Sequence, residues 1–284
     1  MNRKNIFDIL SEQYDLDEEL EKISEMFSNT FLCLSNPLHY NQKYLTMENL
    51  VEEQLFTDYP SLFVRWKQRG SCLNCAEMRK KLGVPKNASL EDKVITLEYF
   101  INIINLIQKN IDFGVTSGLY RDNNFTLLIQ NIEIFLDKLN YEKHIFEDEE
   151  KVILVPKNPA ATAVAEISSE DTALAILMYH HASLKGNLTR KKELLRQIAQ
   201  EYEPLLKKGI DGFSDYFSKA RDFLNNLDIR HNNGDSSIVK NLSPEELENW
   251  YDELYQLLLF CVLIRDNKDR KDKMAEFLKT SRQG

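Results

Sequence analysis

Apolar residues in this chain recur mostly at intervals of three and four, the spacing of helices that bury one stripe and wet the other. A short helix is predicted over Lys4 to Gln13 and a second over Asp17 to Phe31, where Leu16, Leu20, Ile23, Met26 and Phe27 share a face. Cys33 to Tyr44 contains Ser35, Asn36 and Pro37 and reads as an irregular connection. Thr46 then caps a helix to about Phe56, and Ala76 to Leu82 forms a brief helix stopped at Gly83. The strongest signal of the first half starts at Ser89 and runs from Leu90 to about Lys109. Its apolar residues, among them Val94, Leu97, Phe100, Ile101 and Ile104, spread too widely for a free surface, so this helix is expected at the centre. A loop over Asp112 to Asn124 leads into a helix ending near Leu139.

The period changes once. Tyr141 to Phe146 and Val152 to Val155, joined by the acidic run Glu147 to Glu150, read as a β-hairpin over Tyr141 to Pro156. Two strands alone are marginal in water, so the hairpin has to lean on helices. Lys157, Asn158 and Pro159 mark a boundary between an N-terminal domain, residues 1–157, and a C-terminal one, residues 158–284. Helices are expected there over Ala160 to Ile167, from Ser168 or Ser169 through His181, and from Leu188 to about Leu206 with a bend at Pro204. Ser214 starts another, with Tyr216, Phe217, Ala220, Phe223, Leu224 and Leu227 on its stripe and Asn232, Asn233 and Gly234 at its end. Ser243, Pro244 and Glu246 give a capping box for a last helix that carries Leu247, Trp250, Tyr251, Leu254 and Leu258 on one side. Leu257 to Ile264 is apolar all round and is expected to be deeply buried, whereas Arg265 to Lys279 reads as a solvated helix. The fold class is therefore mostly α, in two helical halves with one small β-hairpin.

Composition narrows the classes of function. With 43% apolar and 29% charged residues, 9 Gly and 7 Pro, the chain suits a folded helical protein. The net charge is −9, and residues 1–60 alone hold 12 acidic against 4 basic side chains, so the remainder is close to neutral. Strong non-specific nucleic-acid binding by the whole surface is not expected on that balance, and any RNA contact has to be local. Tyr59, Phe63 and Trp66 interleaved with Arg65, Lys67 and Arg69 suit core packing, or contact with nucleic acid or a partner. No apolar run approaches 18 residues and no apolar segment follows the start, so no membrane span and a cytoplasmic location are expected.

Cys72 and Cys75 form a C-x-x-C without the second pair a zinc site wants or the β-α-β setting of a redox motif. The tandem His180 and His181 lacks the i, i+4 spacing of helical metal ligands. Phosphate loops and hydrolase or metalloprotease motifs are absent, and neither metal nor cofactor is signalled.

Polar groups crowd together only over Asn225 to Asn233. Asp222, Asn226 and Arg230 step by four along the predicted helix, and Arg230 and His231 fall in its last turn. Arg230 and His231 are the candidate catalytic pair, a guanidinium for phosphate oxygens and an imidazole for protons. Asn226, Asn232, Asn233, His180 and His181 are the candidate substrate contacts. The same residues also suit plain capping of a helix end.

At Arg230 and His231 the chain resembles the HEPN superfamily of helical prokaryotic defence and toxin proteins and, more loosely, bacterial abortive-infection proteins. The family's motif is an Arg, a polar residue and then a His four to six positions past the Arg. Positions 234 to 237 here read Gly, Asp, Ser, Ser, so His231 itself would have to serve as acid or base. The resemblance implies metal-independent cleavage or binding of RNA, and a homodimer sharing one site. Residues alone leave a second reading open, a non-enzymatic helical scaffold or sensor subunit that binds another protein of a defence complex.

Overall fold

The computed structural model describes residues 15–35, 42–57, 66, 70–82, 88–110, 119–120, 123–146, 151–230 and 237–280. The helix expected over Lys4 to Gln13, most of Asp58 to Gly70 and the turn Glu147 to Glu150 lie outside them. The chain divides into two compact units, Met1–Pro156 and Lys157–Gly284. Both are dominated by helix, and no helix among the described residues is long and apolar enough to cross a membrane.

In the first unit, α1 (Leu16–Asn29) starts where the Asp15 carboxylate accepts the Asp17 and Glu18 N–H groups, and it buries Leu20, Ile23 and Phe27. It stops at Thr30, short of the expected Phe31, because Phe31–Ser35 (β1) turns into a strand. β1 pairs antiparallel with β2 (Gln42–Thr46), Phe31 opposite Thr46, within the stretch expected to be irregular. A third strand, β3, lies in the expected loop. It spans Leu119–Tyr120, and Tyr120 is opposite Cys33. Pairing between segments some 85 residues apart leaves no local periodicity to read.

Next come α2 (Met47–Leu50), which continues into a π-helical turn over Val51–Phe56, α3 (Cys75–Leu82), α4 (Leu90–Asn110) and α5 (Asn123–Lys138). α4 is central, with Val94, Leu97, Ile103, Leu106 and Ile107 fully buried. The hairpin joins β4 (Tyr141–Phe146) to β5 (Lys151–Pro156), His144 opposite Ile153. The free edge of β5 is closed by α4: the Asn102 amide donates to Val152 O at 2.8 Å and accepts Val152 N–H at 2.9 Å, and Glu98 accepts Leu154 N–H at 2.8 Å. Two side chains one helical turn apart thus take the place of a neighbouring strand, which leaves that edge nothing to pair with.

The second unit holds α6 (Pro159–Ala165), capped by the Asn158 side chain, and α7 (Glu170–Met178). A 3-10 turn (Ala182–Leu184), α8 (Leu188–Lys208), α9 (Ser214–Asn226), α10 (Ser237–Lys240) and α11 (Pro244–Thr280) follow. The capping box at the start of α11 is present: Glu246 accepts Ser243 N–H at 2.8 Å and Ser243 Oγ accepts Glu246 N–H at 3.2 Å. Leu195, Ile198, Tyr202, Phe217, Leu224, Leu254, Leu258 and Val262 make one core from α8, α9 and α11. The Leu257 to Ile264 segment is less deeply set than its composition suggests, since Phe260 is 43% exposed.

Candidate functional site

Arg230 is not in the last turn of a helix. α9 ends at Asn226, because Asp228 turns left-handed with φ 59°. Ile229 N–H bonds Leu224 O at 3.0 Å and Asp228 N–H bonds Asn225 O at 3.1 Å, the two bonds of a Schellman stop with Asp228 at its left-handed position. Ile229 and Leu224 are both buried, which supplies the apolar contact this motif favours. The stop therefore falls four residues before the expected Asn232. Asp tolerates the left-handed region at a cost of about 1 kcal/mol. Here its carboxylate is also fixed by Lys192 of α8 at 3.0 Å.

Arg230 emerges just past this stop and turns back onto α8. One terminal nitrogen donates to Glu203 at 2.7 Å and the other to Asn225 Oδ1 at 3.2 Å. The side chain is 20% exposed, and its Nε has no partner among the described residues. Glu203 also meets Lys207 at 3.3 Å. Asn226 is exposed at the end of α9. His231, Asn232 and Asn233 lie outside the described residues.

The two histidines of the α7 end are placed elsewhere. α7 closes at Met178, so neither His180 nor His181 is helical. His181 is buried and caps the 3-10 turn, its Nδ1 2.8 Å from Ser183 Oγ and accepting the Ser183 N–H. His180 packs edge-on against Tyr179 and Tyr255, each 5.0 Å away between ring centroids. Those two tyrosines stack on each other at 4.1 Å, and Tyr255 Oη donates to Ile176 O.

Around His180 lies a charge cluster that hydrophobic period does not reveal. Lys191 occupies the buried stripe of α8 with Leu194, Leu195 and Ile198, and its ammonium meets Glu248 at 2.9 Å and Asp252 at 2.8 Å, both on α11. The ammonium also sits 5.1 Å from the centre of the Tyr179 ring. A lysine on an otherwise apolar stripe was the available signal, matched by carboxylates four apart on α11. Burial lowers the His180 imidazole below its ordinary value; Asp252 opposes this, Lys191 adds to it, and the net direction is down, so the ring is neutral at pH 7. Burial would raise the Glu248 carboxyl, but Lys191 and the Gly186 N–H outweigh it and hold the group below the ordinary range. Burial, then the nearby Asp252 charge, push the Tyr179 phenol well up.

His180 is thus tied to the Lys191 end of α8 and Arg230 to Glu203, twelve residues further along. That separation is about 18 Å of helix rise. His180 and Arg230, grouped as candidate site residues, thus meet α8 at separate places. Chemically, the His180 cluster is an ion triad on a buried ammonium with partly exposed carboxylates and a neutral imidazole at its side; its carboxylates are already matched to the ammonium, which suits structure more than proton transfer.

The first unit contains an open recess of about 390 Å³ bordered by Arg79, Ser28, Glu21, Glu25 and Tyr99. Arg79 is held there by Glu48 at 3.1 Å and Ser28 at 2.8 Å, above the Phe27 and Phe100 rings. Cys75 is buried close by, and burial followed by the Glu52 charge pushes its thiol up and away from thiolate chemistry. No group of three or more His, Cys, Asp and Glu among the described residues could hold a metal ion.

Comparison with family models, with curated proteins and with solved structures finds no match to this chain.

Proposed function

We propose that this protein works by binding instead of by bond cleavage, as a helical scaffold or sensor subunit that engages another protein. Its setting, a bacterial antiviral or abortive-infection system, rests on the resemblance carried by Arg230 and His231. The observation that supports the binding reading is the engagement of Arg230. A guanidinium that donates to Glu203 at 2.7 Å and to Asn225 at 3.2 Å already has its charge matched. A phosphate at the remaining guanidinium N–H groups would sit beside Glu203, and that half-buried carboxylate opposes an incoming anion.

The second reading is RNA binding or metal-independent cleavage through Arg230 and His231, with the Arg held in a fixed orientation for it. Expression of the wild type and of an Arg230→Ala, His231→Ala double variant in bacteria separates the two. The binding reading expects equal growth and intact RNA in both strains. Arrested growth and broken RNA with the wild type alone would replace it with the nuclease reading.

A further inference from the structure

The open recess of the first unit carries charges that the packing of that unit leaves unused. α1 supplies one wall, Arg79 and Leu82 of α3 supply another, and α4 adds Phe100. Its volume of about 390 Å³ lies in the range that takes a small molecule.

Arg79 is held in place before any ligand arrives. Its Nε meets Glu48 at 3.1 Å, one terminal nitrogen donates to Ser28 Oγ at 2.8 Å, and the guanidinium lies over the Phe27 and Phe100 rings. The other terminal nitrogen has no partner among the described residues. Glu48 also accepts from Tyr99 Oη at 2.6 Å, so its charge is shared between two donors. On α1, Ser28, Glu25 and Glu21 are spaced by three and four and border the recess along one face. Measured along the helix axis, Glu25 is about 4.5 Å and Glu21 about 10 Å from Ser28. Both glutamates are exposed and bonded to no described residue. Along the recess the charges therefore run in the order cation, anion, anion.

We propose that this recess binds a free basic α-amino acid, with its carboxylate on the unused nitrogen of Arg79, its α-ammonium on Glu25 and its side-chain cation on Glu21. The aliphatic stem then lies along Leu82 and Phe100. Extended, such a molecule separates its carboxyl carbon from its terminal nitrogen by about 7 Å. A hydrogen bond at either end covers the remaining distance from Arg79 to Glu21. A polyanion such as a nucleotide would meet two free carboxylates, and a diamine would set a cation against the guanidinium, so neither fits all three charges.

The inference is independent of the reading of Arg230. Titration calorimetry of the full chain with free lysine and free arginine tests it. At least one of them is expected to bind with a dissociation constant of about 100 µM or below. Leucine, which lacks the second cation, and cadaverine, which lacks the carboxylate, are expected to bind at least about tenfold more weakly. Glu21→Gln should weaken the basic amino acid by a similar factor and leave leucine unchanged, with circular dichroism to show that the variant is folded. Absence of binding by both basic amino acids up to about 10 mM overturns the proposal. So does a cadaverine or leucine affinity equal to theirs, or a Glu21→Gln variant that binds them as the wild type does.

Discussion

The Lys191 ammonium lies 2.8 Å from the Asp252 carboxylate, with only 5% of the lysine side chain exposed. Three charged groups, Lys191, Glu248 and Asp252, therefore join α8 to α11 beside the packed rings of Tyr179, Tyr255 and His180. Removing one partner of a buried pair costs more than the pair contributes, because the remaining charge stays desolvated. Glu248 and Asp252 are 19% and 36% exposed, so water screens part of that cost. Lys191→Met is expected to destabilise by about 2–4 kcal/mol, measured by urea unfolding. A loss under about 0.5 kcal/mol would mean that the triad contributes no more than a surface pair.

His180 gives the second unit a pH response of definite sign. The unfolded ring takes up a proton near its ordinary value of 6.5, while the folded ring, lowered chiefly by burial, resists it. The unfolded state therefore binds more protons in that window, and stability falls as pH drops below 6.5 until the folded value is passed. The lowered carboxyls of Glu201 and Glu248 act in a separate window below their ordinary 4.5. Unfolding measured from pH 7 to 5 should show a falling limb in the wild type that flattens in His180→Gln. Equal slopes in the two proteins would remove His180 as its source.

The Arg230 to Glu203 bond anchors the chain leaving α9 onto α8. Arg230→Ala is expected to cost about 1–2 kcal/mol, the value of a charge-assisted hydrogen bond with partly screened partners. Glu203→Gln should cost less, since the amide oxygen still accepts from the guanidinium. Denaturant midpoints of the two variants check the order, and the reverse order would show that Glu203 is held chiefly by Lys207.

In the first unit, the hairpin depends on Asn102. Asn102→Ala leaves the Val152 N–H and C=O without their partner in a buried position, at about 1–3 kcal/mol for each unsatisfied group. A total loss of about 2–6 kcal/mol is expected, together with faster hydrogen exchange at the Val152 amide. Unchanged exchange there would show that the hairpin holds to α4 by apolar packing alone.

What the sequence by itself determined is the helical character of the chain, the hairpin over residues 141–156 and the capping box at Ser243, because hydrophobic period and local cap chemistry are properties of neighbouring residues. Tertiary structure alone decided the rest. The strand Phe31–Ser35 exists through pairing with Gln42–Thr46 and with Leu119–Tyr120, the latter far away in sequence. Asp228 stops α9 because Ile229 and Leu224 are buried together and Lys192 holds the carboxylate, so an aspartate does the work that Asn232 or Asn233 was expected to do. The partners of Arg230 and His180 were likewise invisible, since Glu203 and Asp252 sit on other helices and only packing brings them within hydrogen-bond or Coulomb range.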